Sequence, residues 1–397
     1  MSTLGKTRLM QSGGENLKRP KIGLITYCVG NQGSALQCYA TQQYLSEKGI
    51  DCCLFTRHER GISRILQSLE YRLGAYFKLL RFPQYWTVYR ECKHPQSSNI
   101  AMMQETSDAI KQFIKKNIYS KQCSWKQLQQ LGKSDEYIAF FSGSDQIWSG
   151  FWFLTNRIWF LRFCPRNKRV AWMPSFGSDN LAEYNKDIYK RYIGGYKFIS
   201  VREISGQKIV HQLIGKNVPV LPDPVYLLSA EDWRKISANI EYKDKYILMF
   251  FISKPNPSVI TYAQKKASQF DAKIIWLSYD HGIDGVLVNG GPQEFISYID
   301  NAELVLTDSF HASLFSIILS TPFYVFCRTD NGGSRQLSRV HNLLNKFQMK
   351  NRLVENMLIV EENSWDYKAV RKVLEEERHK VDIFFKEISN FYFGGMG

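Results

Sequence analysis

The segment 22–56 restricts this chain to a small set of folds. An apolar run (22–27) leads into a turn with two glycines (28–33). A helix-forming stretch (34–48) follows, stopped by Gly49, and then a second apolar run (51–56). Strand, glycine turn, helix and strand in that order form a βαβ unit, which requires parallel pairing and a right-handed crossover. The same alternation resumes further on, with strands expected at 137–141, 169–173, 197–201 and 218–221 and a helix at 203–213. It lapses in the charged stretch 229–245, where a domain boundary is expected. A second run begins at 246–252, which is apolar almost throughout, as suits a strand buried on both faces. Helices at 257–270 and 310–319 and strands at 272–277, 303–307 and 322–326 complete it.

The expected fold class is α/β, with two Rossmann-like, doubly wound parallel-sheet domains facing a cleft. The first spans 21–235 and the second 236–363, after a disordered leader at 1–20. In 364–397, Val370, Val373, Leu374, Val381, Phe384, Phe385 and Ile388 form one stripe, so a final helix is expected to pack back on the domains.

A helix-rich insertion at 57–135 interrupts the first domain. Ile62, Ile65, Leu66, Leu69, Leu73, Tyr76, Phe77 and Leu80 recur at spacings of three and four, with Arg64, Arg72, Lys78 and Arg81 off the stripe. Two readings fit: a helix packed on the sheet, or an interfacial helix through 57–93 on anionic lipid. Lys and Arg total 52 against 37 Asp and Glu, and nine of the fifteen excess charges lie in 1–21 and 57–93. That charge sits in a leader and an insertion rather than across a reading surface, so a nucleic-acid-binding protein is not expected. Eight cysteines without a C-x-x-C pair or metal-ligand spacing read as reduced thiols of a cytoplasmic protein without a bound metal. The start of the chain lacks the apolar core of a secretory signal, and no apolar stretch is long enough to span a bilayer.

Ligands of doubly wound sheets bind beyond the carboxyl ends of the strands, which singles out four turns. In 28–34 the glycines let the backbone approach an anion at a helix N-terminus, with Asn31 and Gly33 as the candidate contacts, although a tight turn capped by Ser34 accounts for the pattern equally. In 142–148, Ser144 and Asp145 suit recognition of sugar hydroxyls, and an Asx-type turn is the plainer reading. Arg202, directly after a strand, is placed to clamp a carboxylate or phosphate, or else to pair with Glu203 or Asp223. The fourth turn, 307–313, reads Ser309 as a helix N-cap and sets His311 in the first helical turn. The positive helix end disfavours a charged imidazole there and a bound polyanion favours it, which suits general acid chemistry.

Seven segments, taken in order, resemble the polysaccharide pyruvyl transferases: IGLITYCVGNQGSALQ (22–37), FSGSDQIW (141–148), VAWMPSFG (170–177), ISVRE (199–203), PDPVYLLSAEDW (222–233), LTDSFHASLFS (306–316) and SRQLSRVHNLL (334–344). The resemblance runs from about residue 21 to 353. It implies a fold like the two-domain GT-B glycosyltransferases. It also implies transfer of the enolpyruvyl group of phosphoenolpyruvate to two hydroxyls of a saccharide, giving a pyruvate ketal without a further cofactor. His311 would be catalytic, with Asp145 on an acceptor hydroxyl and Arg202 in the phosphoenolpyruvate clamp. Some members carry arginine two residues before the histidine, where this chain has Ser309; Arg335 or Arg339 would then compensate. The acceptor expected is a lipid-linked saccharide of bacterial surface polysaccharide assembly, met at the inner face of the cytoplasmic membrane. The rival expectation is a glycosyltransferase of the same architecture using a nucleotide sugar.

Overall fold

Among the described residues the strands fall into two sheets of six. A computed structural model describes residues 19–93, 102–240, 242, 244–329, 333–355 and 366–394, with the backbone alone at 91–93 and 333–336. Residues 1–18 of the leader lie outside it. The first sheet holds β1 (Lys21–Ile25), β2 (Asp51–Arg57), β3 (Ser120–Cys123), β4 (Ala139–Ser142), β5 (Arg169–Ala171) and β6 (Phe198–Ile199), in the order β3-β2-β1-β4-β5-β6. The second holds β7 (Tyr246–Phe250), β8 (Lys273–Leu277), β9 (Val286–Val288), β10 (Leu304–Thr307), β11 (Phe323–Phe326) and β12 (Leu353–Val354), in the order β12-β11-β10-β7-β8-β9. Every pairing is parallel. Counted from its own first strand, the second sheet has the order of the first. Each lobe is therefore doubly wound, and the chain reverses direction across the sheet between β1 and β4 and again between β7 and β10. The fold class is the one the alternating pattern predicts.

The insertion is less separate than its sequence suggests. Ser120–Cys123 adds an edge strand where only helix is expected, and the helix Gln104–Asn117 reaches the second lobe. There Met102 bridges to Tyr279, and Thr106 Oγ1 accepts from the Gly290 N–H at 3.4 Å. The helix Ile62–Arg81 does not follow the packed reading: Ala75 is its only buried residue. The strand expected at 218–221 is reduced to one bridge between Val201 and Val220. Pro219 and Pro222 flank that bridge and carry no N–H to extend a ladder. The stretch read as a boundary holds the helix Ala230–Ile236, tied to the second lobe by a pair of Arg234 and Asp300 at 2.8 Å. Its Trp233 is wholly buried between Tyr39 of the first lobe and Phe315 of the second.

The final helix, Tyr367–Phe393, returns to the first lobe. Phe384 and Phe385 lie on Trp172, Phe385 also meets Tyr44 edge-on, and Arg378 donates to the carbonyls of Tyr226 and Leu228. One apolar core thus runs through both lobes and this helix. No helix among the described residues is long and apolar enough to cross a membrane.

Candidate active site

The carboxyl ends of the two sheets face each other across a cleft of about 220 Å³. Both chain reversals open onto it. The turn after β1 supplies Gly30, Asn31, Gln32 and Gly33, and the turn after β4 supplies Asp145 and Gln146. From the other lobe come Ile252 after β7, Ser309, Phe310 and His311 after β10, Arg328 after β11, and Arg339. Gln32 joins the lobes at the floor, its amide donating to Ser278 Oγ at 2.9 Å and to the Gly290 carbonyl at 3.0 Å.

On the first lobe, Asn31 caps the helix Gln32–Glu47: its Oδ1 accepts from the Ser34 N–H at 2.8 Å. The cap expected at Ser34 thus falls three residues earlier, because the helix starts sooner. Ser34 is thereby released to donate its hydroxyl proton to Asp145 Oδ2 at 2.5 Å. Gly143 brings Asp145 to the cleft with φ at +132°, and a Cβ there would fall 1.9 Å from the Trp172 carbonyl oxygen, so only glycine fits. Ser144 turns away from the cleft, donating to the Met173 carbonyl at 2.9 Å and lying 3.3 Å from Arg202.

On the second lobe, Ser309 caps the helix Phe310–Leu319 by accepting from the Ala312 N–H. His311 therefore sits in the first turn of that helix, its side chain 13% exposed. The imidazole rests against Gly33 across the cleft: a Cβ on Gly33 would meet its Cγ at 2.2 Å and its Nδ1 at 2.3 Å. Asp223 Oδ2 lies 3.5 Å from His311 Nε2 and 2.5 Å from Arg202 Nη1. Burial alone would raise the Asp223 carboxyl, but Arg202 and His311 outweigh it and hold the pKa near 2. Arg202 is thus engaged in a buried ion pair and does not line the cleft.

Arg339 is buried in the cleft wall. With the Gln146 amide oxygen turned toward it, Nη1 and Nη2 donate to that oxygen at 2.9 and 2.7 Å. Gln146 is neutral, so the charge stays uncompensated at this contact. Burial first, and then the neighbouring Arg202, draw the Arg339 pKa down to about 10. Arg328 donates to the Asp308 carbonyl at 3.3 Å. The Asp308 carboxylate accepts from Ile252 N at 2.8 Å, Ser253 N at 2.9 Å and Ser253 Oγ at 2.7 Å, and its Oδ2 also lies 3.9 Å from Arg328 Nε as a loose ion pair. Phe310 stands between Arg202 at 5.2 Å and Arg339 at 5.4 Å, cations over an aromatic ring. Behind it lies a second cavity of about 610 Å³, lined by Asp223, Tyr226, Asn342 and Glu376 among others.

Of the residues singled out by sequence, the fold gathers Asn31, Gly33, Asp145, Ser309, His311 and Arg339 at one cleft. Arg202 and Ser144 lie behind it, and the Arg335 side chain lies outside the described residues. Arg328, Gln146 and Asp308 are not singled out. Arg328 follows a strand as directly as Arg202 does, so the strand-end rule could have found it. Gln146 has no signal in sequence, since its role is set by a residue almost two hundred positions away.

The sequence model of the polysaccharide pyruvyl transferases matches residues 31–328, three quarters of the chain. The chain belongs to the polysaccharide pyruvyl transferase family. The matched span includes every cleft residue named above except Gly30 and Arg339. No curated protein matches the chain. Solved structures similar to this chain include a UDP-N-acetylglucosamine 2-epimerase from Rickettsia bellii, at 11% identity and a TM-score of 0.46, covering 94% of this chain and 98% of that one. The Streptomyces glycosyltransferase SsfS6 is 10% identical with a TM-score of 0.40, covering 92% and 99%. A Thermobaculum terrenum O-GlcNAc transferase mutant is 11% identical with a TM-score of 0.37; the match covers 94% of this chain but only 64% of that protein.

Proposed function

We propose that the cleft binds phosphoenolpyruvate and transfers its enolpyruvyl group to two hydroxyls of a lipid-linked saccharide, forming a pyruvate ketal. The observation that carries this reading is Arg339, a guanidinium buried beside His311 and held at its Nη atoms by a neutral amide. Glu203 and Asp145 offset part of the cost of burying this cation, and an anion in the cleft would offset more of it. Phosphoenolpyruvate brings two anionic groups, and Arg328 together with the N-termini of the helices at Gln32 and Phe310 offers further donors at the same cleft.

The chemistry needs a proton delivered to C3 of the enol, which makes C2 electrophilic for the first hydroxyl. The second hydroxyl then attacks C2 as the C2–O bond to phosphate breaks. Of the two hydroxyl protons released, one balances the proton placed on C3 and the other leaves with the phosphate. His311 is the donor in this scheme, with Asp223 holding negative charge beside its Nε2. Asp145, already accepting from Ser34, takes the proton of the attacking hydroxyl. The residues around the second cavity, Asp223, Asn342 and Glu376, offer partners for further saccharide hydroxyls.

Two measurements test this. Phosphoenolpyruvate should raise the melting temperature while uridine diphosphate leaves it unchanged; the reverse would favour a nucleotide-sugar transferase. His311→Ala should lower phosphate release from phosphoenolpyruvate in the presence of acceptor by about a hundred- to ten-thousandfold, the range of general acid–base catalysis, with the melting temperature kept. Wild-type turnover by this variant would remove the proposed role of the histidine.

A further inference from the structure

The helix Ile62–Arg81 packs the wrong way round for a soluble protein. Eight of its large apolar side chains, Ile62, Ile65, Leu66, Leu69, Leu73, Tyr76, Phe77 and Leu80, are between 45% and 76% exposed, and Trp86 just beyond is 53% exposed. At 100° per residue these eight share one face, opposite the face by which the helix is held. On the held face Ala75 is buried with Phe153 and Tyr184, and Lys78 Nζ donates to the Phe153 carbonyl at 2.7 Å and to Asn185 Oδ1 at 2.6 Å. Glu70 pairs with Arg157, and Arg81 with Asp187 at 2.7 Å. These bonds set the rotation of the helix and leave the apolar stripe outward.

We infer that this face docks the protein on the surface of an anionic lipid bilayer. Charge selects the occupant. Arg72 is exposed at the margin of the stripe, one turn from both Leu69 and Tyr76, and Arg60 and Arg90 are exposed just beyond the two ends of the helix. The acids Glu59 and Glu70 are tied to Arg57 and Arg157. A bilayer interface takes large apolar side chains at the acyl boundary and arginines at the phosphates. A second copy of this helix would bring the same arginines against each other. The helix leaves the sheet at the carboxyl end of β2, the edge from which the turns after β1 and β4 enter the cleft. Docking there holds that edge toward the membrane. The inference goes beyond pyruvyl transfer and does not rest on it.

The test is sedimentation of the full chain with vesicles of pure phosphatidylglycerol and of pure phosphatidylcholine at low salt. The protein should bind the first and not the second, and added salt should weaken binding. The triple variant Leu66→Glu, Leu73→Glu, Phe77→Glu should bind phosphatidylglycerol about tenfold less or weaker still, with an unchanged melting temperature because these side chains are exposed. Three outcomes overturn the inference: no wild-type binding to phosphatidylglycerol, undiminished binding by the triple variant, or a wild-type dimer that the variant loses while neither binds vesicles. Pyruvyl transfer is not read in this assay, so none of these outcomes bears on the chemistry of the cleft.

Discussion

The two walls of the cleft are built by sheets of the same strand order, yet they carry opposite chemistry. The first lobe presents a carboxylate, Asp145, and a hydroxyl, Ser34, behind a glycine turn. The second presents an imidazole and two guanidiniums, His311, Arg328 and Arg339. Identical topology therefore fixes where a ligand lies but not its charge, which depends on the residues at each strand end. In the proposed reaction the cationic wall holds the anionic donor and the acidic wall handles the acceptor hydroxyl. Asp223 is the exception: it comes from the first lobe yet sits against His311 of the second and shares its oxygen with Arg202.

That exception should give the largest effect on stability. Asp223→Asn leaves Arg202 buried without a counter-charge and should cost about 3–5 kcal/mol of unfolding free energy, read by denaturant titration. The native carboxyl lies near pH 2, below its ordinary value of 3.8. Its contribution, on the order of 2 kcal/mol, is therefore present above about pH 4 and lost as pH falls toward 2. The mutant should lack this acid-sensitive component, and an unaltered acid profile would break the proposed link between the walls.

The division between walls is sharpened by a kinetic pair. Arg339→Gln should raise KM for phosphoenolpyruvate by about ten- to a hundredfold, the worth of a charge-assisted hydrogen bond. Asp145→Asn should instead lower kcat with the phosphoenolpyruvate KM little changed, because a group acting on the acceptor leaves donor binding alone. If both variants moved the same constant, the assignment of donor and acceptor to separate walls would fail. The smallest effect expected is that of Gly33→Ala. Its new methyl must push the imidazole aside, and a displacement of about 1 Å is enough for a loss of roughly a hundredfold or less in kcat. Full activity with alanine would show that the ring has room to spare.

Much of this molecule was legible in sequence because parallel strands buried on both faces read as apolar runs and the crossover helices between them as intervening periods. The four strand-end turns were visible for the same reason, and three of them supply residues to the cleft. The final helix and the helix Ile62–Arg81 mark where that legibility stopped. Both carry an apolar stripe at spacings of three and four. In one it is buried, with Val381 and Ile388 fully enclosed; in the other it is exposed. Periodicity locates a stripe along a helix but does not say what covers it.

Arg202 makes the same point at the level of a single side chain. An arginine after a strand can clamp a ligand or pair with a neighbour, and the sequence left both open. The structure pairs it with Asp223, whereas Arg339, from a helix far along the chain, gives its Nη atoms to the neutral Gln146 amide and feels Glu203 and Asp145 only through space. The α/β class, the two lobes and the strand-end turns that line the cleft follow from local periodicity and from glycine, and so could be read along the chain. Which charges are neutralised and which face the cleft was set by packing, because it depends on distances between residues far apart in the chain.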